Sequence, residues 1–505
     1  MPKGVMRHLM VFGTLVRDIC LGYQKHLTMR LFYTILMMLI SSGVHAQELL
    51  SFDDAFMLAL EHNKLLASKR IDVATAYYEL QAARGLYYPK IELTGAYVLA
   101  QRDMNINITG RDGIVESGAN ALINNGISKG LLTPAMGDIL RSLLSPLQGL
   151  NLNYTLQKRS FGMLAAKFTM PIYVGGRINA ANRAAKIRLS MKEYELDAAQ
   201  SHLYTTLVEQ YYGVVVLQYA VGVRRDVVRA MTQHLDEAQD MENEGVIAHS
   251  EVLGIEYRLA EAQRELIHEE HRLLMAKHAL GSTIGLDDEI TPIDNLFICD
   301  NNILSIDYYI NSALNLNSIL CGAEQGLELA KEGVAAARAE LLPTVAVLGG
   351  ASLYDYQLSN LLPRWAIGVE ASITLFDGLA KERKLRAAKS RVESVVNDID
   401  NGRDEIVLLT ENEYYNLCNA LADIKASRTS VIAADSFYNS MLDAFRAGVA
   451  SSSKLLDAEV ARAVSKLSLL NAAYQCTLSL ARLLEASGLI HTFGDYRDKA
   501  ILLDI

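Results

Sequence analysis

Two histidines three residues apart, His268 and His271 in IHEEHRLL, come nearest in this 505-residue chain to a metal-binding pair. One helical turn would bring both imidazoles to one face, but zinc needs three or four ligands and no third is spaced to join them. A solvated, charged helix face is the stronger reading. The paired acids Asp53-Asp54 and Asp287-Asp288 have the right groups for acid–base chemistry, yet they fit helix ends and turns better. No GxSxG, HExxH or P-loop pattern occurs. The cysteines at 20, 299, 321, 418 and 476 show no CxxC spacing. They read as buried single thiols, although Cys299 and Cys321 could close a loop in an oxidising compartment. The expectation is a protein that is not an enzyme, with no catalytic residues, no metal and no cofactor.

The elements around these residues are long and uninterrupted. Half the residues are apolar, only eight are proline and one is tryptophan. The formal charge of −10 argues against a nucleic-acid partner, which calls for a concentrated basic patch. Residues 29–46 read as a secretory signal: one positive charge, an apolar run from Leu31 to Ile40, and Val44 and Ala46 before Gln47. Cleavage is expected after Ala46, with Met29 as an alternative start. No other stretch has the length of a membrane helix, so any crossing of a bilayer must use strands.

The chain repeats itself. An ungapped offset of 203 carries Ala184-Ala185-Lys186 onto Ala387-Ala388-Lys389, and Tyr211-Tyr212 onto Tyr414-Tyr415. The same shift carries Gly245-Val246 onto Gly448-Val449, Leu253 onto Leu456, and Gly285-Leu286 onto Gly488-Leu489. The motif ending at Pro89 recurs at Pro343, an offset of 254; the first repeat's insertion, residues 101–159, absorbs the difference. Each repeat is expected to hold a helix, two strands and a long helical hairpin. Repeat one, 47–285, has a helix at 51–88, with Asn63 as a dividing point, strands at 90–100 and 161–174, and a hairpin at 177–285. A linking segment, 286–304, follows. Repeat two, 305–489, has a helix at 305–342, strands at 344–354 and 364–376, and a hairpin at 379–487. Residues 490–505 form a tail.

Ser51 is placed to cap the first helix. In the hairpin, Ile187, Met191, Tyr194 and Ala198 follow coiled-coil steps, and Leu203, Leu207, Tyr211 and Val214 make a second apolar stripe. The strands instead alternate with a period of two, as in Ile91, Leu93, Gly95, Tyr97 and Leu99. Such segments of about 10 residues mark a membrane barrel. Four strands cannot enclose a lumen, whereas three chains would supply twelve. Tyr97, Tyr354, Trp365 and Phe376 are candidate aromatics for the bilayer interface.

The succession SFDDAFMLALEHN, AARGLYYP, PIYVGGR, EGVIAHSEVL, AARAELLP, LFDG and AGVASSSKLLDAE resembles the TolC family of outer-membrane efflux proteins, over nearly all of residues 51–489. The resemblance implies a homotrimer with a twelve-stranded barrel in outer-membrane lipid, continued by a long periplasmic α-helical tunnel. It also implies a periplasmic adaptor protein and an inner-membrane pump as partners, in efflux or type I secretion. Gly245, Val246, Gly448 and Val449 would form the periplasmic tip. Ser250, Glu251, Leu253, Lys454, Leu455, Leu456 and Asp457 would serve adaptor docking or the gate. Lys454 departs from the family's pair of acids at the constriction, leaving a Lys454–Asp457 pair as the alternative. The rival reading is a secreted or periplasmic coiled-coil scaffold or adhesin without a pore.

Overall fold

A computed structural model describes residues 48–109, 114–145, 151–286, 290–299, 303–358 and 363–502. The signal segment with Met29, Ala46 and Cys20, and the Asp287-Asp288 pair, lie outside the described residues. The chain divides into two compact units.

One unit comprises residues 72–193 and 322–400 and is built on a four-stranded antiparallel sheet. The sheet runs β2 (Lys90–Leu99), β5 (Ser160–Val174), β8 (Thr344–Tyr356), β9 (Trp365–Ser372), so each repeat contributes one hairpin's worth of strands. β2 and β9 are its open edges. The second repeat's last strand ends at Ser372, short of the expected 376, because the chain turns there into Gly378, which takes φ +74°. The insertion between β2 and β5 has its own structure. Strands β3 (Met104–Thr109) and β4 (Asn151–Gln157) pair with each other, and helices α3 (Ile114–Ser128) and α4 (Pro134–Leu144) lie between them in sequence. Thr133 caps α4, accepting from the Met136 N–H, with Pro134 at the first helical position.

The other unit comprises residues up to 71, 194–321 and 401–505. Asn63 divides the first helix of repeat one as expected, and the first helix of repeat two is divided in the same way, at Asn317. The resulting helices are α1 (Phe52–His62) and α2 (Lys64–Gly85) in repeat one, and α7 (Ile306–Leu316) and α8 (Ser318–Ala339) in repeat two. The break has the same cause in both. The Asn63 amide donates to the Thr283 carbonyl at 3.2 Å while its oxygen accepts from the Leu66 N–H at 3.0 Å. Asn317 repeats this, donating to the Ala486 carbonyl at 3.0 Å and accepting from the Leu320 N–H at 3.2 Å. One side chain thus caps a new helix and ties it to the end of the hairpin. Gly285 and Gly488 close that end at φ +84° and +70°. A Cβ on Gly285 would lie 2.7 Å from the His62 Cβ, and one on Gly488 2.6 Å from the Leu316 carbonyl oxygen, so both positions need glycine for space as well as for conformation.

The long helices are α5 (Arg177–Asn243) and α9 (Ala380–Arg446), 67 residues each, which at 1.5 Å per residue is about 100 Å. Their returning partners are α6 (His249–Ile284) and α10 (Ser452–Ala486). One core gathers Phe52, Tyr204, Tyr211, Tyr212, Phe297 and Phe493, their rings meeting mostly edge to face at 5.2–5.9 Å. Ser51 caps α1 as expected, and Asp53 is held by both terminal nitrogens of Arg497 at 2.7 and 3.0 Å. The equivalent tyrosine pairs diverge: Tyr211 and Tyr212 are fully buried, whereas Tyr415 is exposed. The linking segment and the tail are also structured. β6 (Ile290–Pro292) pairs with β1 (Glu48–Leu50), and β7 (Phe297–Ile298) with β10 (Ile501–Leu502); α11 (Phe493–Asp498) lies in the tail.

Candidate functional site at the helical turns and on the sheet

Each long hairpin turns through the same bond pattern. The Gly245 N–H donates to the Glu242 carbonyl and the Val246 N–H to the Met241 carbonyl, both at 2.8 Å. Gly448 and Val449 reach the Phe445 and Ala444 carbonyls at 2.8 and 2.9 Å. This double closure requires a left-handed residue, and Gly245 and Gly448 take φ +77° and +72°. Val246 and Val449, just past them, are exposed.

Behind the turns, four helices share one core: Val227, Met231 and Ala238 from α5, Val252 and Ile255 from α6, Tyr438 and Phe445 from α9, Leu455, Leu456, Ala458 and Ala463 from α10. Leu455 and Leu456 pack into this core and are 0% and 5% exposed. Ser250, Leu253, Lys454 and Asp457 are exposed. Among the described residues Lys454 and Asp457 form no ion pair, since two solvated charges at this spacing gain too little to hold each other.

Glu251 does bring the two repeats together. Its carboxylate accepts the Ser452 backbone N–H at 3.2 Å and the Ser452 hydroxyl as well. A side chain near the start of α6 thus supplies an anion to the N-terminus of α10, whose own cap, Ser451, makes no side-chain bond. The offset of 203 makes Glu251 the counterpart of Lys454, so the duplicated position carries a bonded acid in one repeat and a free-standing base in the other. Ser452 was not among the residues singled out from sequence. The change of charge at matched positions was the available signal.

Further bonds reinforce the turns. His249 Nδ1 lies 2.8 Å from Glu242. Arg446 grips Glu237 through two nitrogens at 2.8 and 3.3 Å, which raises the guanidinium's pKa. Deeper in, Glu459 is 3% exposed with one unpartnered oxygen, and burial raises its pKa despite Arg462 nearby. His234 is also buried, which lowers its pKa, and its Nε2 lies 3.4 Å from the Tyr438 hydroxyl.

The register of the sheet sorts its faces. Following the paired residues across all four strands, one face carries Ile91, Leu93, Gly95 and Tyr97, then Leu164, Ala166 and Phe168, then Val347, Gly349, Ala351 and Tyr354, then Trp365, Ile367 and Val369. The other face is mixed: it carries Glu92, Lys167 and Glu370 with Thr94, Thr169 and Ser352, and also Leu348, Met163 and Phe161. A bulge between Leu164 and Ala165, which takes up Leu353, keeps the apolar face continuous. Tyr97, Tyr354 and Trp365 stand exposed towards the ends of their strands that adjoin the inter-strand loops. Phe376 lies beyond the last strand at the helix-side end and is 79% exposed.

Among the described residues no group of three or more His, Cys, Asp or Glu is arranged to hold a metal, and His268 and His271 are exposed on α6. No helix among them is long and apolar enough to cross a membrane. A sheet apolar on one whole face, together with paired 67-residue helices closed by glycine turns, has the build of an outer-membrane duct. The model of the outer membrane efflux protein family matches residues 138–286 and 309–489, and the chain belongs to that family.

A curated relative, the outer membrane efflux protein BepC of Brucella suis, is 27% identical over 116 residues. That match covers 23% of this chain, which spans about a quarter of the relative's length. Solved structures reproduce the fold far more widely. CusC aligns with a TM-score of 0.69 at 14% identity, covering 87% of this chain and 92% of its own. VceC of Vibrio cholerae aligns with a TM-score of 0.64 at 16% identity, over 86% and 96%.

Proposed function

We propose that three copies of this chain join sheet edge to sheet edge, β9 of one against β2 of the next, into a twelve-stranded barrel in the outer membrane. The barrel serves as the exit duct of a tripartite efflux or type I secretion system. The observation that carries this reading is the face-sorted sheet with two unpaired edges. An edge exposes unpaired N–H and C=O groups, which lipid cannot satisfy, so closure by further copies is the arrangement a bilayer allows. The apolar face then meets acyl chains, and Glu92, Lys167 and Glu370 line a wet interior.

In this reading the duct is passive, and an inner-membrane pump supplies the energy. The turns at Gly245-Val246 and Gly448-Val449 form the periplasmic tip. The exposed Val246, Ser250, Leu253, Val449, Lys454 and Asp457 meet a periplasmic adaptor, while Leu455 and Leu456 hold the tip's core. Opening requires the two hairpins of each chain to part, and Glu251 on Ser452 opposes it. Purified protein in planar bilayers should conduct. Recovery as a detergent-free soluble protein without conductance would favour the pore-less scaffold instead.

A further inference from the structure

Four cysteines lie among the described residues, and the fold places them unevenly. Cys321 donates to the Asn315 carbonyl at 3.7 Å, and Cys418 lies beside Tyr414. Cys299 has Cys476 rather than Cys321 beside it, so the Cys299–Cys321 loop considered from sequence does not form. Cys299, just past β7, and Cys476, in the middle of α10, belong to the same core, at 4% and 0% exposure. Their thiols lie within hydrogen-bonding reach of each other. One residue along from Cys476, the Thr477 hydroxyl reaches the Phe297 carbonyl at 3.5 Å, so the linking segment is seated on α10 here by backbone as well as by sulfur.

We propose that Cys299 and Cys476 are a disulfide site that fastens the inter-repeat segment to the last long helix. The oxidant class is a protein disulfide of the exported compartment. One thiol attacks that disulfide while the core is still open, giving a mixed disulfide and releasing one thiol of the oxidant. The remaining cysteine's thiolate then attacks the chain's own sulfur in the mixed disulfide. The Cys299–Cys476 bond forms, the oxidant's second thiol leaves, and both protons and both electrons end on the oxidant's dithiol. The bond would close a long loop, the arrangement in which a cross-link most restricts the unfolded chain.

The compartment, though not the pairing, rests on the proposed outer-membrane function, so the experiment has two arms. Protein extracted from membranes is denatured without reductant, alkylated with a maleimide polyethylene glycol and mapped by peptide mass spectrometry. Labels on Cys321 and Cys418 alone, with a linked Cys299–Cys476 peptide pair, are expected. Free thiols at 299 and 476 in protein that fractionates with the outer membrane would overturn the proposal. If the protein fractionates elsewhere, the export reading fails, and the second arm decides the pairing. In it, reduced protein is refolded in glutathione disulfide buffer. The Cys299→Ser, Cys476→Ser and double variants should then lose the same thermal midpoint, about 5 °C or more. Additive losses, as from packing defects alone, would overturn it.

Discussion

Glu251→Ala removes one of the polar contacts that join the two hairpins near their turns. The carboxylate accepts two bonds from Ser452, one of them from the backbone N–H at the start of α10. Hydrogen bonds to a charged acceptor contribute about 1.5–3 kcal/mol each, and loss of an N-cap costs about 1 kcal/mol. Glu251 is only half-buried, so water recovers part of this. A net loss of about 1–2 kcal/mol per chain follows, a factor of about 5–30 in the ratio of closed to open tips. Single-channel recording in planar bilayers reads that ratio as open probability, which should rise at least about fivefold. Ser452→Ala keeps the backbone donor and should give a smaller rise. The double variant should match Glu251→Ala alone, since both changes remove one interaction. An unchanged open probability for Glu251→Ala, or additive effects in the double variant, would refute the latch.

Val347 and Leu348 are neighbours on β8 but lie on opposite faces of the sheet. Arginine at 347 should cost about 2–4 kcal/mol per chain in the bilayer and deplete heat-modifiable oligomer from outer-membrane fractions; arginine at 348 should not. Gly488→Ala should lower the urea midpoint more than Gly448→Ala. Both suffer a left-handed backbone, at about 1–2 kcal/mol, but only at 488 would the methyl group meet a carbonyl oxygen, at 2.6 Å. Burial raises the pKa of Glu459 on folding, so the folded chain binds the proton more tightly and stability falls as pH rises from the ordinary carboxylate range through the raised folded value. Glu459→Gln should therefore stabilise the protein at pH 8 and lose that advantage in acid, as followed by thermal melts. In the proposed topology the 101–159 insertion faces the outside, so protease added to intact cells should cut within it; full protection would mean that it plugs the lumen or that the topology is reversed.

The duplication was legible because helices of matched length preserve a single offset, so Gly245 could be aligned with Gly448 without any structure. The alternation in β2 and β9 was equally plain, since a period of two survives any neighbour. The bulge that absorbs Leu353 was not legible, because it depends on which strand lies alongside. The contact of Glu251 with Ser452 joins residues about 200 positions apart, and no local pattern encodes it. The burial of Leu455 and Leu456 was not legible beside their turn, because it comes from packing with α5, α6 and α9. Asn63 was marked as a divider, yet its clasp on Thr283, and the copy of it at Asn317, come from packing rather than propensity.

The unpaired margins at β2 and β9 also bear on the life of a newly made subunit. A solitary chain presents two sticky borders and a greasy sheet to water, the combination that seeds aggregates. Until the proposed assembly covers both borders, the isolated subunit should aggregate, and added β2 or β9 peptides that pair with those borders should slow it.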